Sequence, residues 1–334
     1  MRLSVIIPTC NRCGRLSRAL ESISKQTLHP ESFEVIVVDN GSTDSTRNIA
    51  NSFTELIPNL RYYYDESPGL HVGRHKGLKE SSSDILVYAD DDIEAFPTWL
   101  EGIMEAFEDP TVALAGGKIL PLYGTAPPQW IDTMWGMETT PYGKVLSCYS
   151  LLDFGNDIKE ISPLYVWGCN FSIRKEILEE IGGFHPDSLP RRLRRYRGDG
   201  ETAVSRAVAR RGYKALYHPL ASVYHYITPE QMTYDYLYQR SFDQGISDSY
   251  TLIRKNRGLS CAALMWRFGF HLCHRLLFDL KKRLHLIDKH VHIIRKAHSH
   301  GFLFHQKSVW KDKNLLQWVL EKDYFETGDT LNRN

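Results

Sequence analysis

Residues 84–92 read DILVYADDD, a short apolar run that ends in three adjacent aspartates. The apolar part, residues 85–89, has the length and residue types of a buried β-strand. Comparable runs, separated by stretches with helical spacing, occupy residues 3–7, 33–38, 60–64 and 112–115. Strand and helix therefore alternate through the first third of the chain, which is the pattern of an α/β fold.

Strands such as VIIP and VIVVD are apolar along almost their whole length, which indicates a parallel sheet buried on both faces. Right-handed crossovers then predict a doubly wound, Rossmann-like and mostly parallel sheet, with ligands at the carboxyl ends of the strands. Between residues 116 and 163 the pattern loosens into a long connection with short antiparallel strands, and after Pro229 it is helical. We expect an α/β domain over residues 1–228 and a helical C-terminal region over residues 229–334.

The charge balance limits the classes of partner. The 334 residues include 41 basic and 40 acidic side chains, a net charge of +1, and we expect no nucleic-acid partner. The six cysteines are mostly scattered, and the N-terminus enters a strand pattern with no signal-peptide core. These features predict a reducing, cytoplasmic setting.

The aspartate triplet, Asp90 to Asp92, follows a buried strand at the edge where ligands bind. Adjacent like charges need a counter-ion, and Mg²⁺ or Mn²⁺ binds one or two carboxylates while leaving positions for phosphate oxygens and water. The alternative is a solvated acidic turn in which Asp92 or Glu94 caps the helix that begins near Pro97. The triplet alone leaves both interpretations open.

Two other strand ends carry polar residues. In VVDNGSTDST, Asp39 stands at the strand tip, where an acid can hydrogen-bond a ribose or base, although the same residues also make an ordinary turn. Cys10 and Cys13 form a CxxC after the first strand, the placement of a redox pair. The chain is far longer than a thioredoxin-like module, which favours bystander thiols in a ligand-binding loop.

Eight motifs stand in the order VIIPTCNR, VVDNGSTDST, GLHVGRHKGL, YADDDI, WGCNFSIRK, GDGE, RRGY and VYH. The ordered set, over about residues 1–225, resembles the family 2 glycosyltransferases of GT-A fold. The resemblance implies inverting transfer of a sugar from a nucleotide-diphosphate donor to a hydroxyl of a glycan or lipid-linked sugar acceptor, in glycan or polysaccharide synthesis. It divides the α/β domain into a nucleotide-sugar-binding part, residues 1–118, and an acceptor part, residues 119–228.

The resemblance also implies roles for individual residues. Donor-binding roles fall on Thr9, Arg12, Asp39, Arg74, Asp90 and Asp91. The implied ligands of Mn²⁺ or Mg²⁺ are Asp92 and His225. The family's acidic pair precedes a Gly-Tyr by about eleven residues, which places Glu201 at the second position and a glycine at the first. Glu201 is therefore the first candidate for the catalytic base and Asp199 the second.

Two other functions compete with transfer of a sugar. A non-catalytic nucleotide-sugar-binding protein of the same fold is favoured by the glycine inside GDGE. Nucleotidyl transfer to a sugar phosphate also uses such a sheet and a metal, but it calls for a glycine-rich phosphate loop after the first strand. TCNRCGR is a poor loop of that kind.

The C-terminal region has an apolar stripe and a strong positive charge. Residues 251–300 contain eleven Lys or Arg against two acids. The stripe consists of Cys261, Leu264, Phe268, Leu272, Leu276 and Leu280. This combination predicts contact with an anionic membrane surface, and so a peripheral place on the inner face of the cell membrane. The alternative is that the stripe packs against the catalytic domain. A separate arginine-rich loop, residues 191–197, is a candidate anion clamp.

Overall fold

The computed structural model describes residues 2–137 and 139–325, without the side chains of Ala263 and Arg275. Residues 326–334, which belong to the predicted helical region, lie outside the described residues. In chain order the strands are β1 Leu3–Thr9, β2 Phe33–Asp39, β3 Leu60–Tyr64, β4 Ile85–Ala89, β5 Ile93–Ala95, β6 Val112–Gly116, β7 Ile119–Tyr123, β8 Lys144–Leu146, β9 Leu151–Asp153, β10 Lys159–Ile161, β11 Asn170–Arg174, β12 Lys214–Tyr217 and β13 Val223–Ile227.

The α-helices alternate with the first strands and then form the C-terminal region. They are α1 Cys13–Ile23, α2 Thr46–Ser52, α3 Leu70–Glu80, α4 Trp99–Ala106, α5 Gln129–Met137, α6 Lys175–Ile181, α7 Glu201–Arg210, α8 Tyr234–Lys255, α9 Cys261–Arg283, α10 Lys289–Lys311 and α11 Lys313–Leu320. The helical pattern predicted after Pro229 is confirmed.

The larger sheet has the strand order β10-β12-β6-β11-β4-β1-β2-β3. Strands β3, β2, β1 and β4 are mutually parallel, and β11 lies antiparallel between β4 and β6. The apolar side chains of β1, β2 and β4 are buried, as their mostly hydrophobic sequences require. The order of the chain reverses between β1 and β4, so the carboxyl ends of these two strands form a topological switch point where ligands bind such sheets. The predicted mostly parallel α/β fold is confirmed.

A second sheet of order β5-β13-β7-β9-β8 covers the region where the sequence pattern loosens. The short antiparallel strands predicted there are present, because β9 pairs antiparallel with β7 and with β8, but helix α5 was not predicted. Antiparallel pairing of β5 with β13 sets His225 opposite Ile93. The N–H of Tyr226 donates to the Asp92 carbonyl oxygen at 2.8 Å. The second sheet thereby carries His225 back to the aspartate triplet.

The C-terminal helices pack on one another and on the α/β part. At the α8/α10 crossing, a Cβ at Gly301 would stand 1.8 Å from the Phe242 carbonyl oxygen, so only glycine permits this approach. A second hydrophobic cluster joins the 3₁₀ segment Arg191–Tyr196 to α8 and α11 through Leu193 and Trp318. The α8 helix is therefore held to α10, to α11 and to this 3₁₀ segment.

Within residues 2–137 and 139–325, no helix has both the length and the apolar character that crossing a bilayer requires.

Candidate active site

Residues from β1 and from the end of β4 meet at the switch point. The Thr9 hydroxyl donates to Asp91 Oδ2 at 2.7 Å, and an Arg12 Nη1–H donates to Asp91 Oδ1 at 3.0 Å. Parallel pairing of β1 with β4 produces this contact, because both strands end at the same edge of the sheet. Thr9, Arg12 and Asp91, three of the predicted donor-binding residues, therefore form one hydrogen-bonded group.

Asp92 and His225 face each other. His225 Nε2 lies 3.4 Å from Asp92 Oδ1, and Arg15 donates to Asp92 Oδ2 at 3.1 Å. On the far side of the ring, His225 Nδ1 lies 2.9 Å from the Tyr149 carbonyl oxygen, to which it must donate a proton. The backbone thus fixes the tautomer and turns Nε2 toward the carboxylate, an arrangement typical of metal-ligating histidines.

The local charges shift the pKa of each group in this cluster. Burial raises the pKa of Asp91 to about 6. Burial acts on Asp92 too, but the hydrogen bond from His225 and the nearby arginine charges outweigh it and lower the pKa to about 2. Burial acts to lower the pKa of His225, yet contact with the Asp92 carboxylate raises it. Asp92 is therefore ionised at neutral pH, as a metal ligand must be.

The donor set fits a divalent cation that keeps exchangeable positions. One carboxylate and one correctly oriented imidazole suit Mn²⁺, whose remaining positions phosphate oxygens and water can fill. Among the described residues, no three His, Cys, Asp or Glu side chains converge as a closed cage. The alternative, in which Asp92 or Glu94 caps the next helix, does not form. The residue at the N-cap position of α4 is Thr98, and Glu94 pairs with Arg18.

Glu201 is the first residue of α7 and lies close to this cluster. It accepts a hydrogen bond from the Gly168 N–H at 3.3 Å, and Arg74 Nη1 lies 3.5 Å from Glu201 Oε2. The same guanidinium approaches Asp90 Oδ1 at 3.6 Å. Arg74 is 2% exposed, so it acts from beneath the site. It joins the candidate base to the aspartate triplet and does not reach the cavity itself.

Gly200 explains the departure from the family's adjacent acidic pair. Its backbone has φ 51° and ψ −128°, a conformation that glycine adopts readily and other residues rarely adopt. A Cβ at this position would lie 2.9 Å from Asp187 Oδ2. The turn sends the flanking acids to different partners. Asp199 accepts from His185, Arg206 and Thr251, at 2.6, 3.3 and 2.6 Å.

Asp199 is consequently saturated with hydrogen bonds away from the cavity. Burial opposes its ionisation, but the hydrogen bond and charge of His185, with the other two partners, lower its pKa. Its side chain is 6% exposed, compared with 24% for Glu201. The geometry therefore gives Asp199 a role in holding α7 to α8, and leaves Glu201 as the more accessible carboxylate.

The second motif places Asp39 beneath the surface. Its carboxylate accepts from the Ser42 N–H and from the Tyr62 hydroxyl, each at 2.7 Å, and Asp39 is 1% exposed. Asn40, the next residue, lines the cavity. Asp39 thus orders the loop that presents Asn40. Cys10 and Cys13 are free thiols, and Cys10 lies on the cavity wall.

A cavity of about 440 Å³ opens over the switch point and collects residues from both sheets and from α8. The predicted site residues that line this cavity are Thr9, Arg12, Asp90, Asp91, Asp92 and His225. Sequence reasoning missed several lining residues, namely Asn40, Glu66, Tyr149, Gln231, Tyr236 and Arg240. The last three lie on the C-terminal side of the VYH motif, at the start of the helical region, and the sequence carries no specific signal for them.

The arginine-rich loop does not present a free anion clamp. Arg194 binds Asp243, Arg195 approaches Asp312 at 3.3 Å, and Arg197 binds Asp187 at 2.6 Å. Three of its arginines are thus committed to protein carboxylates. Arg194 and Arg195 fasten the loop to the C-terminal region, and Arg197 fastens it to the preceding loop at Asp187.

The mostly parallel sheet, the acid cluster at its switch point and the histidine returned by the second sheet define a GT-A type glycosyltransferase fold. The model of the family "Glycosyl transferase family 2" matches residues 4–182, which is more than half of the chain. The chain therefore belongs to that family. The predicted family is confirmed, and the chain is a glycosyltransferase.

Curated relatives agree with this assignment. The chain is 25% identical over 249 residues to a glucosyl-dolichyl phosphate glucuronosyltransferase of Haloferax volcanii, which covers 74% of this chain and 76% of that protein. It is 30% identical over 254 residues to the O-antigen chain rhamnosyltransferase WbaN of Salmonella anatum, which covers 73% and 71%. The chain spans about half the length of other curated glycosyltransferases that it matches.

A solved structure shares the fold. The mannosyltransferase PcManGT from Pyrobaculum calidifontis, in complex with GDP-Man and Mn²⁺, superposes with a TM-score of 0.54 at 18% identity. The superposition covers 99% of this chain and 87% of that one. Likeness at this level of identity shows a common architecture, which here includes the helical C-terminal region.

Proposed function

We propose that this glycosyltransferase moves a sugar from a nucleotide-diphosphate donor to an acceptor hydroxyl of a glycan in a single displacement with inversion. The observation that carries the proposal is the pairing of Asp92 with His225 at 3.4 Å on the cavity wall. Arg74 connects this acid cluster to Glu201. A cation site beside an accessible carboxylate is what displacement of a diphosphate by a hydroxyl requires.

The donor lies against the ends of β1 and β4. Thr9 and Arg12 shape the nucleoside side of the cavity, together with Asp90 and Asp91, and Asp39 acts there through the loop that it orders. Asp92 and His225 would hold a divalent cation, Mn²⁺ or Mg²⁺, with the mixed carboxylate and imidazole set favouring Mn²⁺. The cation would stabilise the negative charge of the departing diphosphate.

Glu201 takes the proton of the acceptor hydroxyl as that oxygen bonds to the anomeric carbon and the bond to the diphosphate breaks. Arg74 and the Gly168 N–H fix its carboxylate, so the base is oriented before the acceptor arrives. The diphosphate leaves with the bonding electron pair. No covalent enzyme intermediate is needed.

Release of nucleoside diphosphate from a panel of UDP- and GDP-sugars, with Mn²⁺ present, tests this function. We expect at least one donor to be turned over, slowly with water and faster with a glycan acceptor. Tight binding of a donor with no turnover in any combination would instead support a non-catalytic nucleotide-sugar-binding protein.

The α9 helix supports docking on an anionic lipid surface, which would bring the cavity to a lipid-linked acceptor. Its polar side packs on α10, where Arg267 donates to Gln306 and His271 contacts Ser299 and stacks on Phe302. Its apolar side faces outward, and most of the predicted stripe is exposed, with Leu276 at 60%. The alternative in which the stripe packs against the catalytic domain is therefore not what the described residues show.

An outward apolar face beside a basic helix end suits the interface of an anionic bilayer. Lys281, Lys282 and Arg283 form the last turn of α9. Burying the face in the acyl boundary removes exposed apolar area from water, and the basic residues attract anionic headgroups. We therefore assign α9 to the membrane-facing side of a peripheral enzyme.

Sedimentation with vesicles tests the α9 assignment. We expect the protein to bind phosphatidylglycerol vesicles, to bind neutral vesicles less, and to be released by salt because charge contributes to binding. Replacing Leu276 and Leu280 by glutamine should weaken binding about tenfold, since two apolar side chains leave the interface.

Leu56→Gln is the matched control. Leu56 is likewise exposed, at 61%, but it lies in the α/β part and not on α9, so its replacement should not change vesicle binding. Equal recovery in the supernatant with neutral and anionic vesicles at low salt would contradict the assignment. Concentration-dependent dimerisation that the double substitution abolishes would replace the lipid by a second copy of the chain.

A further inference from the structure

Arg240 brings a positive charge from the C-terminal helical region into the catalytic cavity. It lies on α8, which begins at Tyr234 because the Thr233 hydroxyl caps its first turn. Arg240 is partly buried and lines the cavity with Tyr236 and Gln231. In the part of the chain that the structure describes, its guanidinium has no hydrogen-bond or ion-pair partner. A guanidinium carries five donors, so this is an unusual state for an inward-facing arginine.

The acids nearest to Arg240 already have cations of their own. Asp187 is bound by Arg197 at 2.6 Å, and Asp243 is bound by Arg194 at 2.5 Å. The third acid whose charge acts on Arg240 is Glu201, which pairs with Arg74. The charge of Arg240 is therefore left without a committed counter-ion on the cavity wall.

The other cations of the site are engaged in the same way. Arg12 is bonded to Asp91 and lies 3.6 Å from Asp92, and Arg15 is bonded to Asp92. Among the described residues that line the cavity, Arg240 is thus the arginine that an incoming anion can take without displacing a protein carboxylate. The Gln231 amide and the Tyr236 hydroxyl, 3.4 Å apart, stand beside it as further polar groups.

We propose that Arg240 is a phosphate-binding residue that the helical region supplies to the catalytic cavity. Its planar fork matches two oxygens of a phosphoryl group, and such charge-assisted pairs are stronger than neutral hydrogen bonds. The inference rests on the proposed function, which brings phosphate to the cavity in two forms. These are the diphosphate of the donor and the phosphate that joins a lipid to its sugar in a lipid-linked acceptor.

Direct binding measurements on the full chain with Mn²⁺ test this role and separate the two sources. One arm compares UDP and GDP with uridine and guanosine, and the other compares decyl phosphate with decanol. Arg240→Gln should weaken the phosphate-bearing ligand of the relevant arm about 10- to 100-fold and leave the phosphate-free ligand unchanged. Arg240→Lys should recover part of the loss, because it keeps the charge without the fork.

Arg210→Gln, at an exposed position of α7, is the matched control and should bind every probe as the wild type does. Loss confined to UDP and GDP assigns Arg240 to the donor diphosphate, and loss confined to decyl phosphate assigns it to the acceptor. Unchanged affinities in both arms, equal losses in Arg210→Gln, or a wild type that binds no phosphate-bearing probe would overturn the proposal. If the diphosphates bind through Arg240 and no sugar is transferred, the proposed function fails and this assignment stands.

Discussion

Glu201→Gln is expected to lower turnover by about two to four orders of magnitude while donor affinity stays nearly unchanged. The carboxylate accepts a proton only as the acceptor oxygen attacks, so its loss raises the barrier and leaves the bound donor undisturbed. Glutamine keeps the size of the side chain and the acceptor atom that meets the Gly168 N–H. Single-turnover rates and donor titrations on the same preparation measure the two effects separately.

Asp199→Asn is the companion variant. Asp199 is held by His185, Arg206 and Thr251, so neutralising it should lower the melting temperature. The turnover of the folded enzyme should fall less than it does in Glu201→Gln. A larger loss of turnover in Asp199→Asn than in Glu201→Gln would move the base to Asp199. Full activity in both variants would remove general-base catalysis from this site.

Asp92→Asn is expected to reduce turnover about a thousandfold or more, and chelation should abolish it. Asp92 lies between His225 and two arginines, whose charges lower its pKa and keep the carboxylate ionised at neutral pH. Losing a bound cation removes several kcal/mol of stabilisation from the departing diphosphate. Mn²⁺ titration followed by turnover measures both the binding and the rate.

Glu94→Gln controls for loss of an acid from the same loop. Glu94 pairs with Arg18 and does not line the cavity, so this variant should keep wild-type Mn²⁺ affinity and turnover. Near-normal rates in Asp92→Asn, or full activity in excess chelator, would show that the diphosphate leaves without a cation held at Asp92.

The parts of the fold that the sequence predicts well are those with strong local patterns. Strands β1, β2, β4 and β6 are mostly apolar runs bounded by turn residues, and helix α6 ends where Gly182 adopts a φ of 94°. For the second sheet, the sequence indicated only short antiparallel strands within a long connection, without their bounds or pairing. Its strands are three to five residues long and pair across large sequence separations, which a local pattern does not encode.

The site was predictable to the extent that its residues sit at strand ends. Thr9, Asp91 and Asp92 follow from the parallel pairing of β1 with β4. The contact of Asp92 with His225 depends on the β5/β13 register, for which the sequence gives no local signal. Arg74 was expected near the donor, and it lies beneath the site because Phe184 covers its guanidinium at 5.0 Å.

Arg240 shows the limit of reading motifs along the chain. It stands in the middle of a helix whose pattern is that of ordinary tertiary packing, and its importance appears only when its neighbours are found to be paired with other residues. Whether a nearby acid is already paired depends on contacts such as that between Asp187 and Arg197, which the sequence does not show.

The anomeric configuration of the sugar released from an α-linked nucleotide-sugar donor tests single displacement most directly. Water replaces the acceptor in this reaction, and proton NMR reads the first product before mutarotation equilibrates it. We predict that the β anomer forms first, since the incoming oxygen attacks opposite the departing diphosphate with Glu201 as its base. Initial release of the α anomer would contradict inversion and require a second displacement.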